Sequence, residues 1–431
     1  MQFFASISKQ ILSVGPLMFM ALVMGVLALV GLLLQKKSFS DVIKGTFKTI
    51  IGVVILLKGL DVINGALTPL STIFGKLFTV QGNAMPDFGK FLGEQGGTIG
   101  AVLIVGFVIN LLLARFTKYK FIFLTGHILF WNAFMFAGVF MDAGGLTGWP
   151  LILVAGLFLG LYNTFIPALT YPFVNQLVGG KAEFTIGHST AGISIIGAYL
   201  GKWFGNKARS TEELVLPRSL DFLRDVSLAS GIIIFVIYLI AAPVAGLPFV
   251  AEKLSGGQNW VLWALLNGVT FAAGMTVLLT GVRMMLGEIL PAFKGIATKI
   301  VPNAIPALDC PLIFPYAPNA VLIGFIAALV TSAVTIVLFG LGGFSYVLLP
   351  LVVACFFDVG PAAVLANASG GLRGAVIAGA AGGVLLIVFQ AFSLPFVANT
   401  VGGFINAFGG NDFSLIAIVG GLVGKLVNLF M

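Results

Sequence analysis

Stretches long enough to span a bilayer recur along the whole chain, at residues 11–34, 49–70, 98–114, 121–141, 151–171, 222–249, 260–286, 320–341, 347–365, 374–398 and 413–430. Each crossing takes about 20 predominantly apolar residues, so the pattern predicts an all-α integral membrane protein with about eleven transmembrane helices. No soluble fold hides that much apolar surface: 59% of the 431 residues are hydrophobic and 9% are charged, against about 25% charged in soluble domains. The spans leave no length for a separate soluble domain. The chain reads as one membrane domain whose halves, 1–204 and 222–431, are joined by a cytoplasmic linker at 205–221.

Basic residues set the expected orientation, because Lys and Arg stay on the cytoplasmic side of short loops. Lys36, Lys37, Lys44 and Lys48 follow the first run, Arg115, Lys118 and Lys120 the third, and Lys202, Lys207 and Arg209 the fifth. These loops alternate, which puts the N-terminus outside and the C-terminus, near Lys425, inside. Lys9 precedes the first run without a cleavage site before a soluble domain, so that run reads as a span and not as a signal peptide. The same loops account for the formal net charge of +8.

The alternation requires that three segments, 79–97, 183–201 and 301–319, do not cross. Each is apolar yet broken by Gly, Pro and polar residues, and each reads as a re-entrant hairpin. Non-helical backbone at membrane depth is tolerated only where it is buried in protein or lines a wet cavity, so three such segments point to a central polar cavity. One hairpin near the end of each half suggests inverted repeats.

An ionisable side chain at membrane depth is a functional candidate by default. His127 in FLTGHILFWN and His188 in FTIGHST are the only two histidines, and Asp309 stands in PALDCP of the third broken segment. Imidazoles donate to an oxygen-rich solute and a carboxylate accepts from its hydroxyls. Ser189 and Thr190 extend that polar surface. Asp87, Phe88 and Gly89 are placed to close the cavity, with Phe88 stacking on a ring. Lys58 and Asp61, at i and i+3, are expected to pair along one helix face, and Arg283 and Glu288 to be snorkelling or loop charges. Cys310 and Cys355 lack metal-ligand spacing, and no metal or cofactor is expected. No phosphate-binding loop of the nucleotide-hydrolysing type is present. A proton- or sodium-coupled secondary transporter, with His127, His188 and Asp309 as its relay, is the alternative to any phosphate-driven carrier.

Several motifs together resemble one family. They are IKGTFKTIIG (43–52), LTGHI (124–128), IGH (186–188), LPRSLDFLRD, GVRM and above all AFKGIATKIVPNAIPALDCPLIFPYAPNAV (292–321). This set is similar to the IIC components of the bacterial phosphotransferase system of the ascorbate and galactitol type, the L-ascorbate permeases. The resemblance implies a homodimeric inner-membrane carrier with a dimerisation domain and a mobile core that moves like an elevator. It implies phosphorylation of the incoming solute by a phosphocysteine on a separate IIB protein, itself served by IIA, and the phosphoryl donor is therefore not Cys310. It places the substrate contacts at His127, His188 and Asp309, with Asp309 or His188 as the base that takes the hydroxyl proton. The chain departs from the family pattern at Trp131 and Ser189, where glutamines are expected, at Phe88 and Gly89, where Thr and Tyr are expected, and at Leu60, where Ser is expected. A related sugar acid or polyol is the alternative solute.

Overall fold

The computed structural model describes residues 16–78, 88–214 and 226–428. The first half contains α1 (Pro16–Leu34), α2 (Phe39–Phe78), α3 (Phe88–Phe116), β1 (Phe121–Phe123), α4 (Gly126–Asp142), α5 (Gly148–Leu177), β2 (Thr185–Ile186) and α6 (Ala191–Phe204). The second contains α7 (Val226–Ala245), α8 (Leu247–Lys253), α9 (Trp260–Lys299), β3 (Ile305–Leu308), α10 (Pro318–Leu341), α11 (Val352–Phe357), α12 (Val359–Ser393), α13 (Gly402–Phe408) and α14 (Asp412–Asn428). The helices pack as two groups. In one, α1, α2 and α7 pack on the long α9; in the other, α3 packs on α5, α6 and α10 pack on α12, and α14 packs on α4.

Among the described residues, six helical stretches are long and apolar enough to cross a membrane, or seven if α7 and α8, bent by 108°, form one span. Several of the eleven apolar runs are not single long helices. The run at 121–141 is a strand followed by the 17-residue α4, and the run at 347–365 is divided between the short α11 and the start of α12. An apolar run reports exclusion from water, which a strand packed inside the protein satisfies as well as a lipid-facing helix does. The first expected hairpin also differs, since residues 88–97 are the opening turns of α3 and 79–87 lie outside the described residues. The other two segments are broken as expected, into β2, a turn and α6, and into β3 followed by the 3-10 turn Cys310–Tyr316. Arg283 and Glu288 are on helix α9 rather than in a loop, and Glu288 pairs with Lys48 of α2 at 3.3 Å.

The broken segments solve each other's hydrogen-bonding problem. At membrane depth no water satisfies a free N–H or C=O, and β1, β3 and β2 pair as a parallel three-stranded sheet in that order. The register sets Phe123 against Ala307 and Ile186 against Leu308, and the pairing extends through Leu124 N–H to Ala307 O (2.9 Å) and Gly187 N–H to Leu308 O (2.8 Å). Gly187 is required there, because a Cβ would sit 2.9 Å from that of Ala307. The open edges are closed by side chains. Asn110 of α3 donates to Phe121 O and accepts from Phe123 N–H, both at 3.0 Å, as a neighbouring strand would. On the other edge Thr170 of α5 donates to Ile186 O at 3.2 Å.

The linker is also tied down over its described part. Helix α12 breaks at Gly370 and at Gly371, whose φ of 62° favours glycine. The groups freed by that break are taken by the linker: Asn206 N–H donates to Gly370 O, and Leu372 N–H to Arg209 O, each at 2.7 Å. Residues 215–225 lie outside the described residues.

Asn110→Leu keeps the side-chain volume and orphans two edge groups of β1. Each costs about 1–3 kcal/mol when buried, so thermal unfolding in detergent should show a loss of about 2–6 kcal/mol.

Candidate functional site

All three strands end at a candidate residue. Asp309 directly follows β3, His188 is two residues beyond β2, and His127 lies in the first turn of α4, four residues beyond β1. Parallel pairing therefore carries residues distant in sequence to the same end of one sheet. Asp309 Oδ1 lies 3.6 Å from His188 Nε2, Asp309 Oδ2 lies 3.8 Å from His127 Nε2, and the two imidazole centroids are 6.0 Å apart. Asp309 caps the following 3-10 turn through Oδ1, which accepts from Cys310 N–H at 2.8 Å. Its Oδ2 is buried and accepts no hydrogen bond among the described residues. A buried carboxylate oxygen without a donor is costly, and a ligand hydroxyl would remove that cost.

The donor atoms of His127, His188 and Asp309 lie within 4.8 Å of one another. A tetrahedral metal with bonds of about 2.0–2.1 Å needs donors about 3.3 Å apart, closer than this cluster holds them. A hydroxyl oxygen makes longer contacts, at about 2.7–2.8 Å. The arrangement suits the oxygens of an organic solute.

Behind this cluster stands a second polar layer. Ser189 Oγ donates to Asp358 Oδ1 at 2.9 Å and lies 3.2 Å from His188 Nδ1, while Asn411 Nδ2 donates to Asp358 Oδ2 at 3.0 Å. Asp412 accepts from Tyr162 Oη–H (2.5 Å) and Gly192 N–H (2.7 Å). Sequence reasoning passed over Asp358, Asn411 and Asp412. The two acids carry the same signal that marked Asp309, a carboxylate inside an apolar run, as FFDVGP and GGNDF show.

The cluster lies on the wall of a cavity of about 410 Å³, within the usual range for small-molecule sites. The wall contains His127, His188, Ser189, Asp309, Asp358 and Asn411, and Leu57 and Asp61 of α2 face it from the other helix group.

Comparison with known proteins settles the family. The profile of EIIC-GAT, the PTS system sugar-specific permease component, matches residues 10–412. The chain belongs to this family. It is also similar to an ascorbate-specific PTS system EIIC component of Mycoplasma pneumoniae, with 28% identity over 456 aligned residues that cover 93% of this chain and 68% of the relative. The chain is thus a multi-pass membrane permease component of a phosphotransferase system.

The permease also lines its cavity with aromatic rings. Trp131 is on the wall and stacks on Phe404 with centroids 4.8 Å apart and planes at 29°. Phe88 lies behind them, edge-on to Phe404 at 5.5 Å and to Trp131 at 6.5 Å, so it supports the wall rather than forming it. Thr190 also faces away, bonding Ser194 Oγ (2.8 Å) and the main-chain oxygen of Asp358. Gly89 is in the first turn of α3, with its surroundings outside the described residues, as are Asp87 and the side chain of Leu60. Lys58 and Asp61 form the expected i, i+3 pair at 3.1 Å, and Asp61 lies on the cavity wall as well.

In the solute-free permease, Asp309→Asn replaces the unpaired oxygen by an N–H₂ group facing the imidazoles and keeps the cap on Cys310. Thermal unfolding without solute should rise by about 1 kcal/mol or more, while solute affinity falls tenfold or more in an equilibrium binding measurement.

Proposed function

We propose that this permease carries L-ascorbate, or a close sugar-acid relative, inward across the bacterial plasma membrane while a separate IIB protein phosphorylates it. One observation carries this reading: a buried carboxylate oxygen of Asp309 without a donor among the described residues, flanked by two imidazoles on the wall of a cavity. The relative's name, ascorbate-specific, supplies the solute. Ascorbate is small and dense in oxygen, which fits a site of two histidines, Ser189 and one acid. The ring packs against Trp131, and the departures from the expected glutamines leave Trp131 and Ser189 to tune which ring is accepted.

The carrier works as one membrane domain with halves 1–204 and 222–431, N-terminus outside and C-terminus inside, as a homodimer. The cavity lies between two separately packed helix groups, the arrangement an elevator movement needs. Phosphoryl transfer at the inner face is largely a matter of positioning and charge stabilisation. Asp309 or His188 takes the proton of the solute hydroxyl. Trapping follows because the phosphorylated product carries added negative charge.

The test is binding of radiolabelled ascorbate to purified protein, competed with unlabelled ascorbate, galactitol, other polyols and sugar acids. Saturable binding displaced by ascorbate and weakly by galactitol is expected. Binding of a different solute with none of ascorbate overturns the substrate. Gradient-driven uptake of unmodified solute into proteoliposomes without IIB overturns the phosphotransfer.

A further inference from the structure

Asp358 sits at the break between α11 and α12, 3% exposed and on the cavity wall. Its two oxygens are both engaged, and the direction of each bond is fixed by what lies behind it. Asn411 accepts from Phe413 N–H through Oδ1 (3.1 Å) and donates through Nδ2 to Phe408 O (3.1 Å), so its amide N–H₂ must face Asp358 Oδ2. Ser189 has a single hydroxyl hydrogen, and it goes to Asp358 Oδ1.

The consequence falls on His188. Only lone pairs of Ser189 Oγ remain for the ring nitrogen 3.2 Å away, so Nδ1 must be the donor and carry the hydrogen. Asp358 Oδ1, 3.7 Å from Nδ1, favours the same hydrogen. In the neutral ring Nε2 is then a bare lone pair, and it faces Asp309 Oδ1 at 3.6 Å. Asp309 Oδ1 already accepts from Cys310 N–H, so Nε2 is the acceptor left on the cavity wall for the single hydrogen of a solute hydroxyl.

We propose that Asp358, acting through Ser189, holds His188 in the Nδ1–H tautomer and so makes its Nε2 the base for the solute hydroxyl. The base role rests on the phosphotransfer reading above; the tautomer does not. In the step, the hydroxyl oxygen bonds to the phosphorus of the IIB phosphocysteine and the S–P bond breaks, its electron pair remaining on sulfur as thiolate. The hydroxyl proton passes to Nε2. The resulting imidazolium lies between the carboxylates of Asp309 and Asp358, with His127 and Asp61 the other titratable side chains on the cavity wall among the described residues, and gives its proton to water or the thiolate as product leaves. Asp358 is a positioning residue: it touches His188 through Ser189 and does not itself meet the reacting atoms.

Asp358→Asn tests this without changing shape. The new amide must turn its oxygen to Asn411, which puts its N–H₂ against Ser189. The serine hydrogen then swings to His188 Nδ1 and the ring becomes Nε2–H. The chain has two histidines, so ¹⁵N-histidine spectra of the purified protein contain two rings, and His127→Gln assigns them. The expected result is Nδ1–H for His188 in the unaltered protein and Nε2–H in Asp358→Asn. IIB-dependent phosphorylation at saturating solute should fall about 100-fold or more in turnover. Ser189→Ala removes the relay with less burden on folding and should give mixed tautomers and an intermediate rate. An Nε2–H ring in the unaltered protein overturns the proposal. So does a variant that keeps both tautomer and rate. The expected tautomer without any IIB-dependent product counts against the phosphotransfer reading and removes the base role with it.

Discussion

The absence of water at membrane depth is the constraint on which this structure depends. Three segments leave the helical conformation, and each exposes N–H and C=O groups that lipid cannot satisfy. They satisfy one another as a parallel sheet, and Asn110 and Thr170 stand in for the missing outer strands. The sheet ends in the candidate site. The device that makes broken backbone tolerable also fixes where His127, His188 and Asp309 meet.

Once those side chains are together, their own desolvation must be met. The protein does this unevenly. Asp358 and Asp412 are supplied with donors from Ser189, Asn411, Tyr162 and the main chain, whereas Asp309 keeps one oxygen without a partner among the described residues. Full satisfaction of the outer layer holds its groups in place, and the incomplete inner layer leaves room for a ligand. The aromatic rings add shape. Trp131 stacked on Phe404, with Phe88 edge-on to both, gives the cavity an apolar wall beside its polar residues.

Much of the site was legible from residue type alone. Histidines and acids are rare in a chain this apolar, and the cost of burying them marks them wherever they fall. That rule reached His127, His188 and Asp309. Applied without the added expectation of a broken hairpin, it would also have reached Asp358 and Asp412, which lie where helices meet. Phe88 and Thr190 lie beside the cavity residues, Phe88 against Trp131 and Phe404 and Thr190 bonded to Ser194, because sequence neighbours point in different directions. The local structure of each apolar run was less legible. Residues 121–141 are apolar enough for a span, yet β1 occupies their first turn's length, since burial in protein and burial in lipid leave the same composition.

The sequence by itself determined that the chain lives in a bilayer, that its helices dominate, which family it belongs to, and which polar residues pay no structural role cheaply enough to be incidental. Hydropathy and residue chemistry are local properties and can be read one segment at a time. Only the tertiary structure decided that three segments pair as a sheet, that residues 127, 188 and 309 share one cavity wall, and that Asp358 stands behind His188. Strand pairing is made by main-chain groups common to every residue, and it leaves no mark in the side chains from which a sequence is read.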